Sequence, residues 1–233
     1  MARITRKELK KDKFALEIGH TVTLFEEHRT EIVRYGGVAL AVVVIIIGYM
    51  MYSGRRHSAR EQMLARAIQI QESPVGPPTP GQNLNFPTQD VKEQAALTAF
   101  SEVKAHYGST PEGQIAQYYL GSIHADQGKL AEAEKIYKEV ADRADQKYAS
   151  LAKLSLAQIY FADGRADQGE SLLRDLMAHP SIFVSSDQAT VMLARLMGPK
   201  KPAEARKLLE PLRGKTGTVG QTAITALGEL PPQ

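Results

Sequence analysis

The chain has 233 residues, 43% hydrophobic and 24% charged, with 29 Lys and Arg against 26 Asp and Glu for a formal charge of +3. This is enough apolar material for a packed core, and a mixed-charge chain of this kind is not a disordered polyelectrolyte. No cysteine is present, which excludes disulfides, thiolate metal sites and thiol nucleophiles, and the small basic excess with no Trp argues against a nucleic-acid face.

Residues 1–34 form a tail whose first 13 positions carry six basic and two acidic side chains. Phe14, Ile18, Val22, Phe25 and Ile32 then fall along one stripe at steps of about four or seven, opposite Glu17, His20, Glu26 and Arg29. A basic start followed by an amphipathic helix fits a segment lying on a lipid surface, and fits equally a solvated helix or arm. Gly36 and Gly37 would allow a bend after it.

From Tyr35 to Gly54 no residue is charged, and eight of the ten from Val38 to Ile47 are Val, Leu or Ile. Twenty helical residues measure about 30 Å, a bilayer's hydrocarbon thickness, and the apolar centre favours insertion by about 2.5–5 kcal/mol. Tyr35 and Tyr52 mark the ends, and Arg34, Arg55 and Arg56 close the run. A preceding charged region of 34 residues is long for a cleaved signal peptide, so the segment is read as a retained transmembrane helix over 35–54. Charge leaves its orientation open. Arg29 and Arg34 precede the span closely, whereas Arg55, Arg56, Arg60 and Arg66 follow it, and the whole tail holds eight basic residues and six acids.

Residues 55–72 continue in helical rhythm through Met63, Ile68 and Ile70. A loop follows over 73–89, where Pro74, Pro77, Pro78, Pro80 and Pro87 break any hydrogen-bond ladder. From 90 to 233 helix-compatible segments alternate with short Gly, Pro or Asp punctuation, and the chain repeats itself. Leu120-Gly121 recurs as Leu156-Ala157 and as Leu193-Ala194. Gly128 recurs as Gly164, while Ala133 with Tyr137 recurs as Gly169 with Leu173 and Ala205 with Leu209, preceded by Ala96 with Phe100. One period of 36 or 37 residues therefore serves several positions. Small residues let paired helices approach, large ones fill the gap, and a turn glycine reverses the chain; stacked hairpins then bury what one hairpin cannot.

These positions resemble the tetratricopeptide repeat with a slightly long period. The second copy matches best, through Leu156, Ala157, Tyr160, Gly164, Leu173 and Pro180; the first has His124 where an aromatic is expected, and the third has Met197 there. Asp90 to Tyr107 reads as the second helix of an incomplete repeat whose first helix is Ser58 to Gln71, and Thr218 to Leu227 as a capping helix. The expected fold is all-α: an N-terminal amphipathic helix and one transmembrane helix, then a tetratricopeptide-like α-hairpin solenoid. Mapping the family's groove positions onto this chain places Tyr118, Ser122, Gln158, Phe161 and Arg195 on the concave side, with packing between hairpins the other role for Tyr118 and Phe161.

Three further motifs carry no chemistry. Gly214-Lys215-Thr216 matches the end of a phosphate-binding loop, but Leu209 stands where that loop needs glycine. Ser101 and Lys104 have a Ser-x-x-Lys spacing without companion motifs, and the six histidines form no i, i+4 pair. No catalytic residue, metal ligand, cofactor or small-molecule substrate is expected, and the chain is not read as an enzyme.

The layout, with its Arg3-Ile4-Thr5-Arg6-Lys7-Glu8-Leu9 opening, is similar to the ancillary subunit of the bacterial SecYEG translocon. That resemblance implies a single-pass inner-membrane protein with periplasmic repeats, whose partners are translocon subunits, exported chains or periplasmic chaperones. The inserted loop at 73–89 departs from it. The alternative is a structural scaffold that assembles an envelope or cell-division complex without touching exported chains.

Overall fold

The computed structural model describes residues 29–77 and 84–231; the amphipathic stripe expected from Phe14 lies almost wholly outside them. Nine helices occupy the described residues: α1 Arg29–Glu72, α2 Gln89–Tyr107, α3 Pro111–Asp126, α4 Leu130–Arg143, α5 Gln146–Ala162, α6 Ala166–Ala178, α7 Ser186–Met197, α8 Pro202–Arg213 and α9 Thr218–Glu229. Between α1 and α2 an isolated parallel bridge joins Val75 to Phe86.

The chain divides into two compact units at 58/59. Within the first, the helix runs through Gly36 and Gly37 unbroken. Val38, Leu40, the run Val42 to Ile47, and Tyr49 to Tyr52 are all exposed, although water is a poor solvent for every one of these side chains except at the tyrosine hydroxyls. Among the described residues α1 is the one helix long and apolar enough to cross a membrane.

The second unit is a stack of antiparallel helix pairs. Its first apolar cluster joins Leu64 and Ala67 of α1 to Ala96, Phe100 and Val103 of α2 and to Ala116, Leu120 and Ile123 of α3. A second centres on Tyr137, Val140, Leu156 and Tyr160, and a third runs from Leu154 through Leu173, Leu193 and Leu209 to Ala226 of α9. The repeated residues are the core: Ala96, Ala133 and Ala205 are fully buried, as are Phe100, Leu173 and Leu209. Gly121 is small because a Cβ there would sit 2.8 Å from the Tyr137 ring. The α3–α4 and α5–α6 turns pass through Gly128 and Gly164 at φ 74° and 76°, left-handed backbone that other residues adopt only at a cost. The next turn differs: Gly198 is right-handed at φ −49°, and the chain turns through Pro199 to Lys201.

Besides sequence neighbours, α3 touches α5, α5 touches α7, and α7 touches α9. Among the described residues the backbones of α4 and α6 approach only those of their sequence neighbours, and the outer helices reach one another through long side chains, Lys104 of α2 to Glu139 of α4 at 3.9 Å and Arg174 of α6 to Glu204 of α8 at 3.0 Å. The first helices of the pairs therefore lie closest together and form the inner side of the stack, with the second helices fanned outside.

Candidate protein-interaction face

The inner helices start at defined points. Thr110, Asp145 and Ser185 accept hydrogen bonds from the first-turn amides of α3, α5 and α7, satisfying donors that a helix cannot satisfy itself. The outer helices α4, α6 and α8 lack such caps and begin after Lys129, Arg165 and Lys201. Two of these cations reach back one repeat. Arg165 grips Glu134 with two nitrogens at 3.0 and 2.6 Å, and Lys201 meets Glu170 at 3.3 Å; in the preceding turn Gln127 donates to Glu93 at 3.0 Å. Each acid is the fifth residue of its helix. The Gln127 and Arg165 bridges hold the carboxyls of Glu93 and Glu134 below their ordinary range, Glu134 down to about 2, while Glu170 is lowered first by Arg174 one turn along its own helix and then by Lys201. The donors of the three cross-repeat bridges are of three residue types, so no recurring letter marks them in the sequence.

Tyr118 and Ser122 lie one turn apart on α3 and belong to one polar knot. The Tyr118 ring is half-buried, 5.7 Å from the Tyr137 ring and 5.9 Å from that of Tyr148. Burial raises the pKa of Tyr118 against a lowering hydrogen bond with Ser155 of α5. Burial likewise pushes Tyr137 up to about 12, while hydrogen bonds with Ser155 and Ser122 act the other way. Tyr118 and Ser122 thus help join α3, α4 and α5.

Gln158 is exposed on α5. Phe161, three residues on, is half-buried and covers the bare backbone of Gly169; it also lines a cavity of about 570 Å³ with Arg165, Leu196 and Lys201 near the turns. Arg195 is exposed on α7, pairs with Glu229 at 3.3 Å, and lines a separate cleft of about 320 Å³ between α7 and α9. The structure brings Tyr118 and Ser122 together and sets Phe161 and Arg195 on different cavities. The α7–α9 cleft has an apolar floor of Val191, Met192 and Val219 and a rim that includes Gln188 and Thr222. Sequence spacing missed it because α9 is outside the repeat.

Among the described residues no group of three His, Asp or Glu is arranged to hold a metal ion. The inner face offers hydroxyl and amide groups, aromatic edges and one apolar cleft, which suits binding of polypeptide.

Comparison with known proteins agrees with this geometry. A family model described as a tetratricopeptide repeat-like domain matches residues 32–210. No curated protein matches the chain. Among solved structures, it is similar to two crystal structures of a Podosopora anserina protein described as a putative kinesin light chain with nearly identical tetratricopeptide-like repeats. One, a point-substituted form, gives a TM-score of 0.53, and the other gives 0.52. Each is 19% identical over 73% of this chain and 84% of the other, a likeness of fold.

Proposed function

Since the chain belongs to the tetratricopeptide repeat-like domain family and is thereby a protein-interaction module, we propose that it works at a membrane, anchored by α1. The observation that carries this reading is the exposed apolar stretch from Val38 to Tyr52, which a bilayer would cover and water does not. In the finer form of the proposal the chain is an ancillary translocon subunit of the bacterial inner membrane. Its repeats face the periplasm, bind emerging chains along the inner face that includes Tyr118, Ser122, Gln158, Phe161 and Arg195, and pass them to chaperones. The layout and the basic opening from Arg3 to Leu9 support that form.

The test uses the absence of cysteine. Single Gln233→Cys and Ala2→Cys variants are exposed to a membrane-impermeant thiol reagent on spheroplasts and after lysis, and the full chain is purified in mild detergent. Labelling of position 233 in intact spheroplasts, with SecYEG in the purified complex, is the expected result. Labelling of position 2 alone, or purification with a different stoichiometric complex, overturns the translocon form and favours a scaffold.

A further inference from the structure

We infer that the inner face recognises an uncharged segment of its partner polypeptide and seats one apolar side chain in the cleft between α7 and α9. This deepens the reading of the inner face as a polypeptide-binding surface and rests on it.

The first support is the segregation of charge. The outer helices α4, α6 and α8 carry seven, four and five Asp, Glu, Lys or Arg residues, whereas the inner helices α3, α5 and α7 carry two each. Four of those six inner charges are already neutralised within the fold: Glu112 by Arg60, Lys153 by Asp175, Asp187 by Lys215 and Arg195 by Glu229. The remaining two, Asp126 and Lys147, sit at helix ends. Away from the helix ends, these helices carry the partly exposed, uncharged Tyr118, Ser122, Ser155 and Met192 and the exposed Gln158.

The second support is the cleft. Its two charged wall residues are Asp187 and Arg195, each held by a partner outside the lining: Lys215 at 2.7 Å and Glu229 at 3.3 Å. Thr222 gives its hydroxyl hydrogen to the Thr218 carbonyl, and Ser185 accepts from the Gln188 amide. A partner carboxylate or ammonium entering here would lose water and find every counter-charge engaged, the condition under which a buried charge is most unfavourable. An apolar side chain meets Val191, Met192 and Val219 and loses nothing. At about 320 Å³ the cleft lies at the small end of ligand pockets, in keeping with one anchoring side chain.

The experiment uses the full chain in nanodiscs and fluorescein-labelled Gly/Ser peptides of one length carrying a central Leu, Phe, Asp or Lys. The Leu and Phe peptides are expected to bind at least tenfold tighter than the Asp and Lys peptides, with less than twofold change in Kd between 50 and 500 mM NaCl. Thr222→Asp and Thr222→Lys are both expected to weaken the Phe peptide by fivefold or more, with Lys207→Gln on the outer helix α8 as the unaffected control. Tighter binding of a charged peptide, a tenfold loss with salt, or improvement by one sign of charge at position 222 overturns the inference while leaving a polypeptide-binding face. Failure of all four peptides to bind overturns that face as well.

Discussion

Two glycines of the α3–α4 hairpin are required for different reasons, and substitution separates them. At Gly128 a Cβ would meet nothing within 4 Å, so only the left-handed backbone resists it. At Gly121 the backbone is ordinary helix and the obstacle is the Tyr137 ring. Gly128→Ala is expected to lower stability by about 1 kcal/mol, and Gly121→Ala by about 1–3 kcal/mol through overpacking. Tyr137→Leu should relieve only the second, so the Gly121→Ala/Tyr137→Leu pair falls short of additivity in urea unfolding while the Gly128→Ala pair adds. The small–large pairing behind this was legible because it recurs at one spacing. Which way Tyr118 faces was not: its position allows the groove or the interior, and its contacts with Tyr137, Tyr148 and Ser155 arise from helices brought together only in the fold. The same applies to Phe161, whose seat on Gly169 pairs residues of two facing helices.

Between helices, the apolar rows set register and the cross-repeat bridges secure it. Each bridge ties the turn before an outer helix to the first turns of the outer helix one repeat earlier, so neighbouring outer helices are linked although the backbones of α4 and α6 do not approach each other. Arg165 makes the strongest of them, using two nitrogens on Glu134 while its guanidinium lies 4.5 Å from the centre of the Tyr160 ring. The sign of its pH dependence follows from the carboxyl. Glu134 has a folded pKa of about 2 against an ordinary 4.5, so its bridge stabilises the fold fully above about pH 5 and is lost as pH falls towards 2. Glu134→Gln should therefore lower the urea midpoint at pH 7, and the gap from the parent protein should close on acidification. A gap that stays constant with pH would remove the ionic bridge from the account. The α5–α6 turn was readable as a turn from Gly164, but the bridge beside it was hidden, since an acid at a helix's fifth position does not stand out among so many charges.

At the scale of the whole molecule, the fold class and the repeat order were readable because a stacked solenoid writes its period into the chain. The apolar helix was readable for a similar reason, its uncharged length being a property of composition alone. The α7–α9 cleft was not readable: it forms where the repeating stack meets a helix that does not repeat.

The bridge between Val75 and Phe86 separates the helices on either side from whatever chain lies between. The Gly76 amide donates to Phe86 at 2.9 Å, the Phe86 amide to Pro74 at 3.1 Å, and Asn85 to the Gly76 carbonyl at 2.7 Å, so the two strands of the excursion are closed at its neck. Length added beyond a closed neck costs loop entropy, about 0.6 kcal/mol for each doubling. A ten-residue Gly/Ser epitope inserted within 78–83 should leave the melting temperature within about 3 °C of the parent, whereas the same epitope in the α5–α6 turn at Gly164 should lower it well beyond that. The neck is thus a splice point, where a fluorophore or affinity handle can be attached without retuning the stack.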